Sequence, residues 1–409
     1  MGQIIIAAKL GASYEYDAYL AAFVLPNILI SIATSYVGIN TLPILSEIEN
    51  KGFDKSQISK FLSTTLFYIF LFSIMIILIT NILSKYIFII VLPGWTNARI
   101  TLVNQLYLLV SLSFVFSSLS GILTEIANYH KKFILPAIVP ALLGGILPAT
   151  ILLLSYNFLG IFSLAIGFLL FTLINFFFLF RFFLKNYQYD IKIKNIYAIR
   201  VLKNSFFLSL SGFVSKIQPL IENFYCSFLP LGSISILGYA NRIVLTPSNI
   251  ISQNFISIIY PDYARYAGKN DDTALFVAFK KSFKLLSLPL IFLAIYIVTV
   301  GKEFIELFFE RGKFNYRDTN LLYVVTLGYL GYFIFSGLGV LAIRLFYVKN
   351  KNLFPITLSI IGVFLYVISI NIFTKSFGLV GVSLAISLQF LVANIITYIF
   401  IKLYFSILE

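Results

Sequence analysis

QISKFLSTTLFYIFLFSIMIILITN, residues 57–81, contains a single charge, Lys60, in an otherwise apolar or weakly polar run. About 20 such residues in a helix cross the ~30 Å hydrocarbon core of a bilayer, where only a ladder internal to the segment can satisfy the backbone. The stretch therefore reads as a transmembrane helix. Outward from it in both directions, apolar stretches bounded by Pro, Gly, Asn and charge recur at 16–48, 100–127, 134–155, 157–184, 199–229, 233–263, 274–300, 318–347, 353–374 and 378–404, with an apolar stub at 2–11. Several are longer than a minimal span, which fits tilted helices or helices that run past the bilayer.

The whole composition agrees. Of 409 residues 60% are hydrophobic and 11% charged, and the mean hydropathy is +0.96, against roughly 45–50% apolar and 25% charged in soluble domains. A water-soluble enzyme is excluded. The net charge of +14 needs no nucleic acid to explain it. With the stub as helix 1 starting in the cytoplasm, nineteen of the 30 Lys and Arg fall on the cytoplasmic side and seven opposite, the bias that orients polytopic proteins. This predicts a multi-pass protein of the cytoplasmic (inner) membrane with both termini inside. Cys226 and His130 are the only residues of their types, so disulfide frameworks, metal sites and Cys–His catalysis have no material.

The chain repeats itself at offsets of 218–222 residues. Gly11, Pro26, Asn27, Pro43 and Ser46 are echoed by Gly232, Pro247, Asn249, Pro261 and Ala264, and SLAI occurs at 163–166 and again at 383–386. A charged turn before Pro136 (Lys131, Lys132) matches one before Pro355 (Lys349, Lys351). Two halves with an even number of helices enter the membrane the same way round, a transporter arrangement. The expected fold is an all-α polytopic membrane protein of two pseudo-symmetric six-helix lobes around a central cavity, residues 1–190 and 191–409. Helix 1 is expected to be truncated, because its counterpart 199–229 is a full span; the stub lacks the basic start and cleavage pattern of a signal peptide.

Several strings carry a family resemblance: LGASYEYDAYLAAFVLPN at 10–27, LPGW at 92–95, NYHKKFILPAIVP at 128–140, SFLPLGSISILGYANRI at 227–243, LFFERGKFNYRDT at 307–319 and FYVKNKNLFP at 346–355. Over nearly its whole length the chain is similar to the MurJ/MviN lipid II flippases of the multidrug/oligosaccharidyl-lipid/polysaccharide exporter superfamily. The resemblance implies a central cationic cavity that alternates between the two sides and moves an undecaprenyl-diphosphate-linked saccharide outward. Departures are local. Ile30 stands where the family usually has an arginine and Ser35 where an acid is common, Leu245 replaces an acid one turn after Arg242, and Val340 replaces a lysine. The family's two additional C-terminal helices have no counterpart here.

Ionisable groups within spans usually face a cavity or a partner, because each costs about 2.5–3.5 kcal/mol in hydrocarbon. Arg242, in mid-span and matched to the family motif, is the first substrate candidate, since a guanidinium grips a diphosphate bidentately. Lys216 is a second, as a point charge for phosphate, and Arg344 near the cytoplasmic end of its span is a third, with snorkelling as the alternative. Glu222 is a candidate for binding a coupling cation or neutralising Arg242; on a regular helix it faces away from Lys216. Asp17 matches a family position at the outer end of helix 2, as a gate or a helix cap. Pro26 and Pro247, the repeat-related pair, are candidate bending points.

The leading function is a flippase for lipid II, the peptidoglycan precursor, with an O-antigen, capsule or exopolysaccharide unit second because of the missing cations. A cation-coupled small-molecule exporter would need a carboxylate pair. A saccharide polymerase or ligase would need a general base and a large outer loop, which the spans leave no room for. A non-transporting paralogue assembling with cell-envelope synthesis proteins is the remaining reading. No cofactor is expected: there is no phosphate-binding GxxxxGK[ST] loop, which leaves the membrane potential, or Na+ or H+ coupling, to drive transport. The expected partners are the polyprenyl-diphosphate-linked saccharide and the lipid bilayer.

Overall fold

The computed structural model describes residues 2–269, 271–349, 351 and 353–406, and their side chains except those of 31–36, 38–39, 206–215 and 405–406. Among these residues the chain is helical, without strands: α1 Gly2–Leu10, α2 Tyr14–Asn50, α3 Lys55–Val91, α4 Asn97–Tyr129, α5 Leu135–Leu143, α6 Ile146–Leu159, α7 Phe162–Asn186, α8 Ile196–Lys216, α9 Gln218–Cys226, α10 Ser233–Gly268, α11 Asp272–Phe309, α12 Tyr316–Gly328, α13 Leu330–Val348, α14 Leu353–Phe377 and α15 Leu379–Ser406. Every expected span is occupied by helix. Eight segments are long and apolar enough to cross a membrane, and the outward face of α3 shows why: Phe70, Leu71, Met75, Leu78, Ile82 and Ile90 are all exposed, as lipid contact requires. The protein is an all-α, multi-pass membrane protein.

Three expected spans are broken. Residues 134–155 divide into α5 and α6 at Gly144 and Gly145, adjacent residues with the weakest helix preference short of proline. Residues 199–229 divide into α8 and α9, with Pro219 in the first turn of α9, where its missing N–H costs no helical bond. Residues 318–347 divide at Tyr329 into α12 and α13.

The repeat is written into the backbone. Gly11 and Gly232, which lead into α2 and α10, both have positive φ, 62° and 85°, a region that glycine enters without a Cβ clash. Gly160 and Gly378, ahead of α7 and α15, form a second such pair at 53° and 56°. The helix ends match as well. Phe53 N–H donates to Ile48 O after α2 and Asp271 N–H to Tyr266 O after α10, while Lys132 N–H donates to Ala127 O after α4 and Lys351 N–H to Phe346 O after α13. These are the wide C-terminal turns that satisfy otherwise orphaned carbonyls.

By packing, the chain forms two compact units, Met1–Ser227 and Phe228–Glu409. This boundary does not coincide with the one drawn from the repeat at 190/191. The reason is local: α8 and α9 pack against α2 and α3, Arg200 pairs with Glu47 at 2.9 Å, and Asn40 Nδ2 donates to Ser205 Oγ at 3.2 Å. The first unit is built on α2, α4 and α7, around Phe61, Leu66, Phe114, Ile122 and Phe183. In the second, α15 lies on α13 and α14. There Ser387 Oγ accepts Tyr332 N–H at 2.9 Å and donates to Gly328 O at 2.6 Å, a close approach possible because a Cβ on Gly331 would come within 2.8 Å of that on Ser387.

Two outcomes follow from this packing. Gly331→Leu should lower the stability of the second unit by about 1–3 kcal/mol through overpacking, whereas Gly145→Ala, with no heavy atom within 4 Å of the new Cβ, should leave thermal unfolding in detergent unchanged. Asp271 caps α11 by accepting Ala274 N–H at 2.9 Å, and this bond first, then the Thr273 hydroxyl, holds its carboxyl below the usual carboxylate range. A depressed carboxyl stabilises the fold above its unfolded pKa of about 3.9 and loses that contribution as pH falls through the folded value. Asp271→Asn keeps an N-cap acceptor and should flatten the loss of melting temperature measured below about pH 4.

Candidate functional site

Four of the candidate residues lie in the first unit. Asp17 is 2% exposed, in the first turn of α2, where the helix dipole favours an anion. It is not the cap: that position belongs to Ser13, whose side chain accepts Tyr16 N–H. Pro26 is a buried interior residue of the same helix. Lys216 is partly buried as the last residue of α8 and forms no ion pair among the described residues. The helix break at Ile217 also removes the premise that Lys216 and Glu222 share one regular helix.

Glu222 is partly exposed on α9, one helical turn before the buried Cys226. The amide Nδ2 of the neighbouring Asn223, 5% exposed, has no hydrogen-bond partner among the described residues.

The second unit contains the other three. Arg344, on α13, stacks its guanidinium over Tyr260 of α10, 5.2 Å from the ring centroid, a cation–π contact that the sequence reading did not foresee. Pro247 is a half-buried interior residue of α10, which continues through it. Arg242 is exposed on α10 and forms no ion pair among the described residues.

What surrounds Arg242 is the most informative surface of the unit. Arg242, Thr246, Asn249, Gln253 and Ser257 are all exposed, and their spacings of 4, 3, 4 and 4 place them on one face of α10. Val244, Ser248, Ser252, Ile256 and Tyr263 are buried on the face beside it. That buried face is held against α13, where Ser248 Oγ donates to Phe333 O at 2.9 Å and Ser252 lies in the space left by the missing Cβ of Gly337. A polar stripe of about four turns cannot face hydrocarbon without severe cost, so it faces water or polar partners. Only Arg242 and Asn249 of this stripe were singled out from sequence, although the spacing was there to find. The equivalent helix of the first unit, α2, likewise leaves Asn27 exposed beside Pro26.

Comparison with known proteins places this arrangement. The family profile described as "Lipid II flippase MurJ" matches residues 6–408. The chain belongs to the MurJ lipid II flippase family. Among curated relatives, a protein of Buchnera aphidicola subsp. Schizaphis graminum named "Probable lipid II flippase MurJ" is 26% identical over 380 residues, covering 88% of this chain and 72% of that protein. An identically named Aquifex aeolicus protein is 28% identical over 422 residues, covering 97% and 78%. Among solved structures, a lipid II flippase MurJ in an inward closed conformation aligns with a TM-score of 0.85 at 24% identity over 98% of this chain and 84% of that one. An inward-facing MATE multidrug transporter of the MOP superfamily aligns with 0.76 at 15% identity, over 100% and 95%. These two likenesses carry the fold. Members of the MurJ family are membrane transporters, not catalysts.

The orientation of α10 generates a direct check, because Cys226, the one native cysteine, is 2% exposed. Cysteines placed at Asn249 or Gln253 should react with a charged maleimide in opened membrane vesicles, and cysteines at Ser248 or Ser252 should stay unlabelled. Absence of labelling at 249 and 253 would show that the polar stripe is covered.

Proposed function

We propose that this protein moves lipid II, the undecaprenyl-diphosphate-linked peptidoglycan precursor, from the inner to the outer leaflet of the cytoplasmic membrane by alternating access. The family match along residues 6–408 is the observation that carries this reading. The exposed polar face of α10 supports it chemically: a polyprenyl tail stays in lipid while Arg242 holds the diphosphate, a guanidinium being charged at any relevant pH and bidentate toward phosphate oxygens. In this reading the two repeat-related lobes, 1–190 and 191–409, flank a central cavity, both chain termini are cytoplasmic, and Lys216 adds a second cation. Arg344, engaged with Tyr260, helps orient α13 against α10.

Outward transfer of a dianionic diphosphate runs down an inside-negative potential, about 2.3 kcal/mol per charge per 100 mV. No nucleotide is needed. Asp17 and Glu222 are then the groups positioned to take up Na+ or H+ and reset the first unit, with bending at Pro26 and Pro247. A second reading, a flippase for another polyprenyl-diphosphate saccharide, draws on one specific observation. Ile30, where the family usually has an arginine, packs against the apolar core of the first unit.

Complementation separates the two. The gene should rescue a strain depleted of its lipid II flippase, and an Arg242→Ala version expressed to the same level should not. Failure of the well-expressed parent protein overturns the lipid II assignment in favour of the other saccharide units.

A further inference from the structure

Residues 187–195, between α7 and α8, are held along α3 by hydroxyl groups. Gln188 N–H donates to Ser59 Oγ at 3.2 Å, Asp190 N–H to Ser63 Oγ at 3.2 Å and Lys192 N–H to Thr64 Oγ1 at 3.0 Å, while Tyr68 donates to Ile193 O. Ser59, Ser63 and Thr64 are 0–2% exposed, so this connection is a built part of the first unit and its side chains are held in register. It forms one wall of a cavity of about 170 Å³ lined by Ile48, Phe53, Lys60, Lys192, Lys194 and Tyr197, among others. Its lining joins an aromatic pair, Phe53 edge-on to Tyr197 at 5.9 Å, with three lysines.

The charges around it leave a cationic excess. Glu47 is occupied by Lys51 at 2.7 Å and by Arg200 at 2.9 Å. Asp54 caps α3 through Gln57 N–H, and Asp190 lies 3.5 Å from Lys60. Lys192 and Lys194 have no acidic partner among the described residues. Beside them Ile193 and Ile196 are 64% and 78% exposed, an apolar margin suited to the start of acyl chains rather than to water.

We propose that this cavity binds the phosphodiester headgroup of an anionic membrane phospholipid. Lys192 and Lys194, with Lys60, hold the phosphate, the Phe53–Tyr197 pair takes the glycerol, and the acyl chains leave over Ile193 and Ile196. Basic pockets between membrane helices at the polar interface are suited to such headgroups. The site is separate from the polar face of α10, and its readout is lipid retention, so it stands or falls independently of the transport assignment.

The test uses the full chain, stripped of lipid in detergent and reconstituted into nanodiscs of phosphatidylcholine with a minor fraction of phosphatidylglycerol, with retained lipid measured by mass spectrometry after re-extraction. Phosphatidylglycerol should be enriched over phosphatidylcholine. Replacing Lys60, Lys192 and Lys194 together by Gln should reduce that enrichment about tenfold or more. Replacing Lys131, Lys132 and Lys185 together by Gln removes the same charge elsewhere on the unit and should leave the enrichment intact. Equal loss in both triple variants would reduce the effect to general surface charge and overturn the site, as would full retention in the first. Displacement by millimolar glycerol 3-phosphate would assign the cavity to a free phosphate ester and equally overturn the lipid proposal.

Discussion

Water is absent from the hydrocarbon core, and every feature of this chain answers to that absence. A backbone amide there has no water to bond, so the spans are helical. Two of the helix breaks fall where the sequence lowers their cost, the Gly144–Gly145 pair and Pro219, and a third falls at Tyr329. The same constraint makes polar side chains informative: a polar group facing lipid is expensive, so one that the fold leaves exposed marks a surface meant for water or for a partner. The α10 stripe gains its meaning from this rule, and so does the exposed apolar face of α3.

Duplication solves the packing problem twice with one plan. The paired left-handed glycines Gly11/Gly232 and Gly160/Gly378 set the entry of equivalent helices, and matched wide turns close α2 and α10, and α4 and α13. Within that plan the units differ where their sequences differ. α4 is continuous, whereas its counterpart is divided into α12 and α13. α5 and α6 are separate, whereas α14 runs unbroken. Close approach in the second unit depends on small residues, Gly328, Gly331 and Gly337, set against the serines of α15 and α10. Hydroxyl groups then satisfy carbonyls across the contact, as Ser387 and Ser248 do.

Hydroxyl chemistry also decides how the halves of the repeat are shared between the packed units. Ser59, Ser63 and Thr64 bind the backbone of the connection to α8, and Glu47 and Asn40 hold α8 itself. The packing boundary therefore falls after α9. This places Glu222 in the same unit as Asp17.

The amino-acid sequence alone determined the class, the spans, the duplication and the family, because each of these rests on local composition, on fixed spacing or on strings that survive as strings. Arg242 was legible as a polar group in mid-span and as part of a motif. What only the tertiary structure decided is which faces meet. The burial of Ser248 and Ser252 beside the exposed Asn249 and Gln253, and the engagement of Arg344 by Tyr260, each depend on the side-by-side packing of helices. Hydropathy along one helix records how apolar a segment is on average. It does not record which neighbour covers which side, since in a membrane both lipid and protein interior are apolar and the choice between them is made by shape and hydrogen bonding.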